Sequence, residues 1–339
     1  MKELIMKISR QTMKMNLDVD GFGAWDWGAG VALYALSHVY QYTKEKEIFD
    51  FIKNFVDDTM ENVEIPKTVN TTAPLCSALM LYTQTGDEKY INICKDFADW
   101  LMKEAPRAED GAIEHSGVRI HWQSQAWIDT IFMAGVFLSK IGTITQNQEY
   151  LEEGLRQVKL HMDILQSENG LFYHGYDYQN RNHMSAALWA RGNSWFTVSV
   201  PEIIDFSKVK KEDIIAGYKK QVKAIVSCQA ENGLWHTVLD DSVSYCEVSA
   251  AAGFSYGILL GIRLGLIGKD YEECAIKAAK AVINKVAEDG TVTDVSTGTG
   301  IQKTAEMYRD MDKSLIMPWG QGLALLMLIE LDKLKKQKH

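Results

Sequence analysis

The chain has 339 residues, 46% of them hydrophobic and 24% charged, enough for one large globular core or two smaller ones. Its formal charge of −9, with no Lys/Arg block beside interleaved aromatics, argues against a nucleic-acid partner. No stretch approaches the roughly 18 apolar residues of a membrane span, and the first ten residues lack the apolar heart of a signal peptide, so a cytoplasmic location is expected.

In chain order, hydrophobic periodicity predicts twelve helices near 2–15, 28–43, 46–61, 72–85, 87–104, 124–142, 147–166, 189–204, 211–229, 248–265, 269–286 and 317–336. Strand signals are few and short, so the fold class is all-α. The connections alternate between short polar turns, such as Thr85-Gly-Asp-Glu88, and longer loops carrying Trp, His and Asp. Four long loops share a Glu-Asp/Asn-Gly core, with glycines at 111, 170, 233 and 290, spaced roughly 60 residues apart. Each interval holds a helical hairpin, and Gly after Asn or Asp supplies a positive-φ turn. Twelve helices in six hairpins predict a closed ring, six inner helices wrapped by six outer ones, as a single domain over residues 1–339. An open solenoid of helix pairs is the alternative. In the ring, every second loop emerges at the same end, so the long loops share one mouth.

Five cysteines, at 76, 94, 228, 246 and 274, are odd in number and show no C-x-x-C spacing, which points to reduced thiols. Nine tryptophans, many beside Gly, His or Asp, predict a cleft with aromatic walls, although a large helical core also consumes Trp. His115 and His121 lie close together, but no Cys or carboxylate completes a zinc spacing, and no metal or cofactor is expected. Gly298-Thr-Gly300 lacks the context of a phosphate loop, and no G-x-S-x-G elbow is present.

Asp129 is the one ionisable group in the apolar run from Ala126 to Leu138. Among Trp127, Ile128, Ile131 and Phe132 its carboxyl is desolvated, which holds its proton more tightly and suits a general acid. The competing reading is an acid near a helix N-terminus, with Ser124 as N-cap. Arg191 stands between Trp189 and Trp195, where stacking would orient its donors toward a carboxylate or sugar hydroxyls; alternatively it pairs with a core acid.

These stretches together resemble the unsaturated glucuronyl and rhamnogalacturonyl hydrolases (glycoside hydrolase families 88 and 105). The matching pieces are Trp25-Asp-Trp-Gly-Ala-Gly-Val-Ala-Leu-Tyr34, Leu81-Tyr-Thr-Gln-Thr-Gly-Asp87, Ala126-Trp-Ile-Asp-Thr-Ile-Phe-Met133, Gly170-Leu-Phe-Tyr-His174, Trp189-Ala-Arg-Gly-Asn-Ser-Trp195 and Glu247-Val-Ser249. They follow the family's order over nearly the whole chain. The resemblance implies an (α/α)6 barrel and a substrate ending in a 4,5-unsaturated uronic acid, the product of a polysaccharide lyase. It implies Asp129 as proton donor to C4 and then base toward water, an exception to the usual two-carboxylate geometry of glycosidases. It implies substrate binding by His174, Arg191 and Trp195, with Trp25 or Trp27 as the opposite platform and His183 a further candidate. Trp127 and Trp189 complete the expected binding set. The family's second active-site Asp falls on Asn70 here, which can hydrogen-bond a sugar but cannot ionise. Two other functions remain open at this point. A sugar epimerase or isomerase on the same ring would use His174 and His183 as a pair, and a non-catalytic glycan-binding scaffold would turn over no sugar.

Overall fold

In a computed structural model, which describes residues 1–18 and 24–337, twelve α-helices follow one another from Lys2 to Gln337. They are α1 (Lys2–Lys14), α2 (Trp27–Thr43), α3 (Lys46–Asn62), α4 (Leu75–Thr85), α5 (Glu88–Lys103), α6 (Phe137–Thr145), α7 (Gln148–Leu165), α8 (Ala190–Ser207), α9 (Glu212–Ser227), α10 (Val248–Arg263), α11 (Glu272–Ile283) and α12 (Pro318–Gln337). Part of the first long loop, residues 19–23, lies outside the described residues.

The even-numbered helices form the inner ring. α2 packs on α4, α4 on α6, α6 on α8, α8 on α10, α10 on α12, and α12 returns to α2. Their sequences are apolar on every side because every side is covered: α10 is buried without a break from Val248 to Gly261. The odd-numbered helices each show one apolar stripe. In α9 the buried positions are Ile214, Gly217, Tyr218, Gln221, Val222 and Ile225, the spacing of a single helix face. These helices clad the ring from outside, α3 against α2 and α4, α7 against α6 and α8. The closed ring of hairpins is thus the (α/α)6 barrel read from the sequence, not an open solenoid.

The four Asp/Asn-Gly turns share one construction. The side chains of Asp110, Asn169, Asn232 and Asp289 accept from the backbone N–H two residues on, at 2.9–3.0 Å. The glycines that follow hold φ of +92°, +100°, +87° and +95°. Each turn ends an outer helix, so all the long loops rise at one end of the ring.

Short antiparallel ribbons decorate that end: β1 (Ser116–Gly117) with β2 (Ile120–His121), β3 (Gln125–Trp127) with β4 (Gly175–Asp177), and β5 (Trp235–His236) with β6 (Cys246–Glu247). The β3–β4 pair corrects one expectation. Residues 124–130 are not the start of the sixth helix. Gln125 pairs with Asp177, Ala126 with Tyr176 and Trp127 with Gly175, while Ser124 turns at φ +57° instead of capping a helix. The helix begins only at a π-helical turn, Ile131–Val136, that runs into α6. No helix among the described residues is long and apolar enough to cross a membrane.

Candidate active site

A cavity of about 270 Å³ opens at the loop-bearing mouth. Ligand pockets run from roughly 300 Å³ upward, so this space suits one terminal sugar better than a run of them. Asp129 lines it at the junction of β3 and the π-helical turn. Its carbonyl accepts from the N–H groups of Phe132 and Met133, both at 3.1 Å, so it sits immediately before Thr130, the N-cap of that helix. Its carboxyl is only 13% exposed.

Behind the carboxyl lies His174, 1% exposed, whose Nε2 faces Asp129 Oδ2 at 3.3 Å without closing a well-aligned hydrogen bond. The other ring nitrogen, Nδ1, is 2.6 Å from the Tyr308 hydroxyl. The imidazole plane is held against Trp189, ring centres 4.2 Å apart, with Trp127 at its edge. A second imidazole, His115, stacks flat on Trp127 at 4.8 Å, and its Nδ1 meets Thr130 Oγ1 at 2.9 Å. Trp122 leans on the same indole at 4.3 Å. Across the cavity Trp27 stacks on Trp319 at 4.2 Å, and Asp26 caps α2 through a 2.7 Å bond from Trp27 N–H.

The electrostatics differ from the sequence expectation. Burial is the largest influence on the Asp129 carboxyl and pushes it up, but His174 and then His115 outweigh it. The group therefore sits below the ordinary aspartate range in the ligand-free chain. Burial holds both imidazoles neutral: His174 is lowered despite Asp129, and His115 falls to about 4.

Of the residues singled out in the sequence, Asp129, Asn70, Trp27, Trp127 and Trp189 line this one cavity. Asn70 opens a 3₁₀ turn, Asn70–Thr72, which Thr72 Oγ1 ties to Met133 O at 2.9 Å. Trp25 is buried behind that turn, its indole N–H donating to Thr71 O at 3.0 Å, so Trp27 alone of the two forms the platform. Trp195 is wholly buried in the ring and packs on Phe132 at 4.9 Å, away from the cavity lining. His183 packs against Tyr173 at 4.1 Å, its Nε2 2.8 Å from Ile164 O, and does not line the cavity; His174 does not line it either, being buried behind Asp129.

Arg191 is fully buried and lies over Trp189 and Trp319, not between Trp189 and Trp195. Its guanidinium donates to Ser296 O at 3.1 Å, Thr297 O at 2.7 Å and Thr299 Oγ1 at 3.0 Å, with Glu247 Oε1 at 3.5 Å. Glu247 also caps α10, accepting from Ala250 N–H at 2.6 Å. The arginine thus fastens the loop that carries Gly298, Thr299 and Gly300 into the cavity wall.

Sequence reasoning missed Asp26, Trp122, Thr299 and Tyr308, and weighed His115 only as a metal ligand. Asp26 had a signal, an acid between two tryptophans just before an apolar helix. Tyr308 had none, since it stands in a polar stretch of the longest loop.

The comparisons with known proteins agree with one another. The profile of Glycosyl Hydrolase Family 88 matches residues 2–335. The unsaturated rhamnogalacturonyl hydrolase YesR of Bacillus subtilis is 35% identical, covering 99% of this chain and 96% of its own length. Among solved structures, a possible family 105 member from Salmonella enterica superposes with a TM-score of 0.94 at 32% identity, covering 98% of this chain and 94% of that one. The unsaturated glucuronyl hydrolase of Bacillus sp. GL1, at 16% identity and a TM-score of 0.77 over 98% of this chain and 97% of its own, shares the fold. With the profile matched over residues 2–335 and the ring and mouth arranged as described, the chain belongs to Glycosyl Hydrolase Family 88 and is a glycoside hydrolase.

Proposed function

We propose that this hydrolase removes a terminal 4,5-unsaturated uronic acid from lyase-generated oligosaccharides, and that it prefers the rhamnogalacturonan-derived kind. The observation that carries the reading is Asp129, a nearly buried carboxyl in the wall of a one-sugar cavity that it shares with Asp26, backed by His174 and accompanied by indoles. The 35% identity to a rhamnogalacturonyl hydrolase supports the preference.

In this reading Asp129 gives its proton to C4 of the vinyl ether. The positive charge that develops at C5 and the ring oxygen is quenched when water adds at C5, and the water's surplus proton returns to the Asp129 carboxylate. The C5 hemiketal then opens by breaking its bond to the ring oxygen. The hemiacetal left at C1 expels the shortened saccharide, and a 5-keto sugar departs. Asp129 lies low in the ligand-free chain, so it takes up its proton with the substrate. The uronate brings a second carboxylate into a cavity whose described lining contains no Lys or Arg, and it drives out water. Both effects raise the proton affinity of Asp129. Trp27 and Trp127 offer faces to the ring, Trp189 completes the wall, and Asn70 donates to a hydroxyl. The whole ring acts as one catalytic domain, and the five unpaired cysteines favour a reducing, cytoplasmic setting.

The test is a panel of lyase-generated disaccharides, followed by loss of the conjugated uronate absorbance. Turnover greatest on the rhamnogalacturonan product is expected. Equal or better turnover of glucuronan-type products removes the preference, and no turnover of any removes the activity.

A further inference from the structure

Tyr308 sits in a 3₁₀ turn, Glu306–Asp310, of the loop between α11 and α12, and is wholly buried. Its phenol oxygen already receives the backbone N–H of Gln302 at 3.3 Å. The Ser185 hydroxyl also interacts with the phenol, and His174 Nδ1, 2.6 Å away, is placed to take the phenol proton. A neutral imidazole carries one N–H. If Nδ1 accepts from Tyr308, the proton must be on Nε2, the atom that faces Asp129 Oδ2 at 3.3 Å. The two ends of the ring agree: a donor at Nδ1 and a carboxylate at Nε2 select the same tautomer. Packing against Trp189, with ring planes 33° apart, restrains the imidazole where both contacts are made.

We propose that Tyr308 is a positioning residue, which locks His174 in the Nε2–H tautomer so that an N–H always faces the carboxylate Asp129 leaves behind after giving up its proton. This rests on the reading of Asp129 as the acid. Nε2–H stabilises the carboxylate as it forms and holds it aimed at water in the second half of the reaction. Without Tyr308 the imidazole can present its Nε2 lone pair instead, and that accepts from a protonated Asp129 and holds the proton back. The other charged or titratable groups around this pair are His115 and Asp26 in the cavity wall and Arg191, whose charge reaches His174 from α8.

The experiment joins two measurements on the full chain. Imidazole ¹⁵N shifts, with His174 assigned by its absence in His174→Gln, report the tautomer directly. The Nε2–H form is expected in the wild type and a mixture in Tyr308→Phe; an Nδ1–H form in the wild type overturns the proposal. With an unsaturated uronide as substrate, Tyr308→Phe should lower kcat by roughly tenfold or more, with KM little changed. Its alkaline limb in kcat should move to higher pH, because the carboxyl has lost the N–H that holds it low. A variant melting near the wild type with unchanged kcat and pH profile also overturns it. If the wild type hydrates no unsaturated uronide, the functional reading fails, while the ¹⁵N shifts still decide the tautomer.

Discussion

The carboxyl of Asp129 receives opposed pushes, up from burial and down from His174 and His115, and chemistry depends on the balance. Asp129→Asn keeps the shape and removes the transferable proton, so activity should fall by at least about 10²–10⁴-fold with the fold intact. A folded Asn variant with near-normal turnover of the disaccharide panel would remove Asp129 from the mechanism. Asn70 lines the same cavity, and Asn70→Asp adds a like charge near the acid. That raises the proton affinity of Asp129, keeps it protonated to higher pH and shifts the alkaline limb of kcat upward. Superimposable limbs in the two proteins would mean that Asn70 is too far away to be felt. Arg191 acts at one remove. A lysine cannot reproduce the fork that holds Ser296, Thr297 and Thr299, so Arg191→Lys should weaken substrate binding and lower Tm together. Unchanged binding and melting would free the loop from its dependence on the arginine.

Elements were legible wherever one periodicity dominated. The amphipathic outer helices and the all-apolar inner ones declare themselves, and the Asx–Gly turns repeat in the sequence as they do in space. The sixth helix misled because residues 124–130 are apolar enough for a buried helix. Pairing with Gly175, Tyr176 and Asp177 overrides that tendency, and a partner some fifty residues away leaves no local mark. The same blindness hid Tyr308 and set Trp195 where Trp319 lies against Arg191, since such contacts are made between hairpins, whereas Trp189 and a core acid, Glu247, were both foreseen beside it. The turns themselves can be probed. Gly86 holds φ +71° with open space around it, while at Gly170, φ +100°, an added Cβ would lie 2.7 Å from Lys220 O. Gly86→Ala should cost about 1–2 kcal/mol of backbone strain. Gly170→Ala should cost clearly more, because a backbone carbonyl of α9 must also move. Urea unfolding of the two variants compares them, and equal losses would show that the clash is relieved freely.

At the scale of the whole molecule, buried histidines couple stability to pH. Burial lowers His38, His115, His161 and His174, with His115 and His161 each brought to about 4. In the unfolded chain these groups take up protons as pH falls through 6.5, whereas in the folded chain burial resists protonation of all four, and His115 and His161 refuse it until about 4. Stability is therefore full above about pH 6.5 and drains away between there and about pH 4, by on the order of 3 kcal/mol for His161. His161 lies in α7 outside the cavity lining, bonded only through Nδ1 to Gln157 O at 2.9 Å. His161→Leu should change stability by less than about 1.5 kcal/mol at pH 7 and flatten the acid-side loss, as read by unfolding at pH 7 and 5. An equally steep loss in the variant would shift the cause to the other histidines.

The stack of Trp27 on Trp319 joins the first inner helix to the last, and Tyr308 reaches back to His174 from the final loop. During synthesis from the N-terminus, Asp129 leaves the ribosome long before either partner exists. A chain interrupted in the loop before Tyr308 carries its acid with one wall of the cavity missing and no tyrosine behind the histidine. Competence thus arrives late and all at once, with the last hairpin, and a fragment that stops short of it is inert toward sugar while exposing the apolar flanks of an open ring.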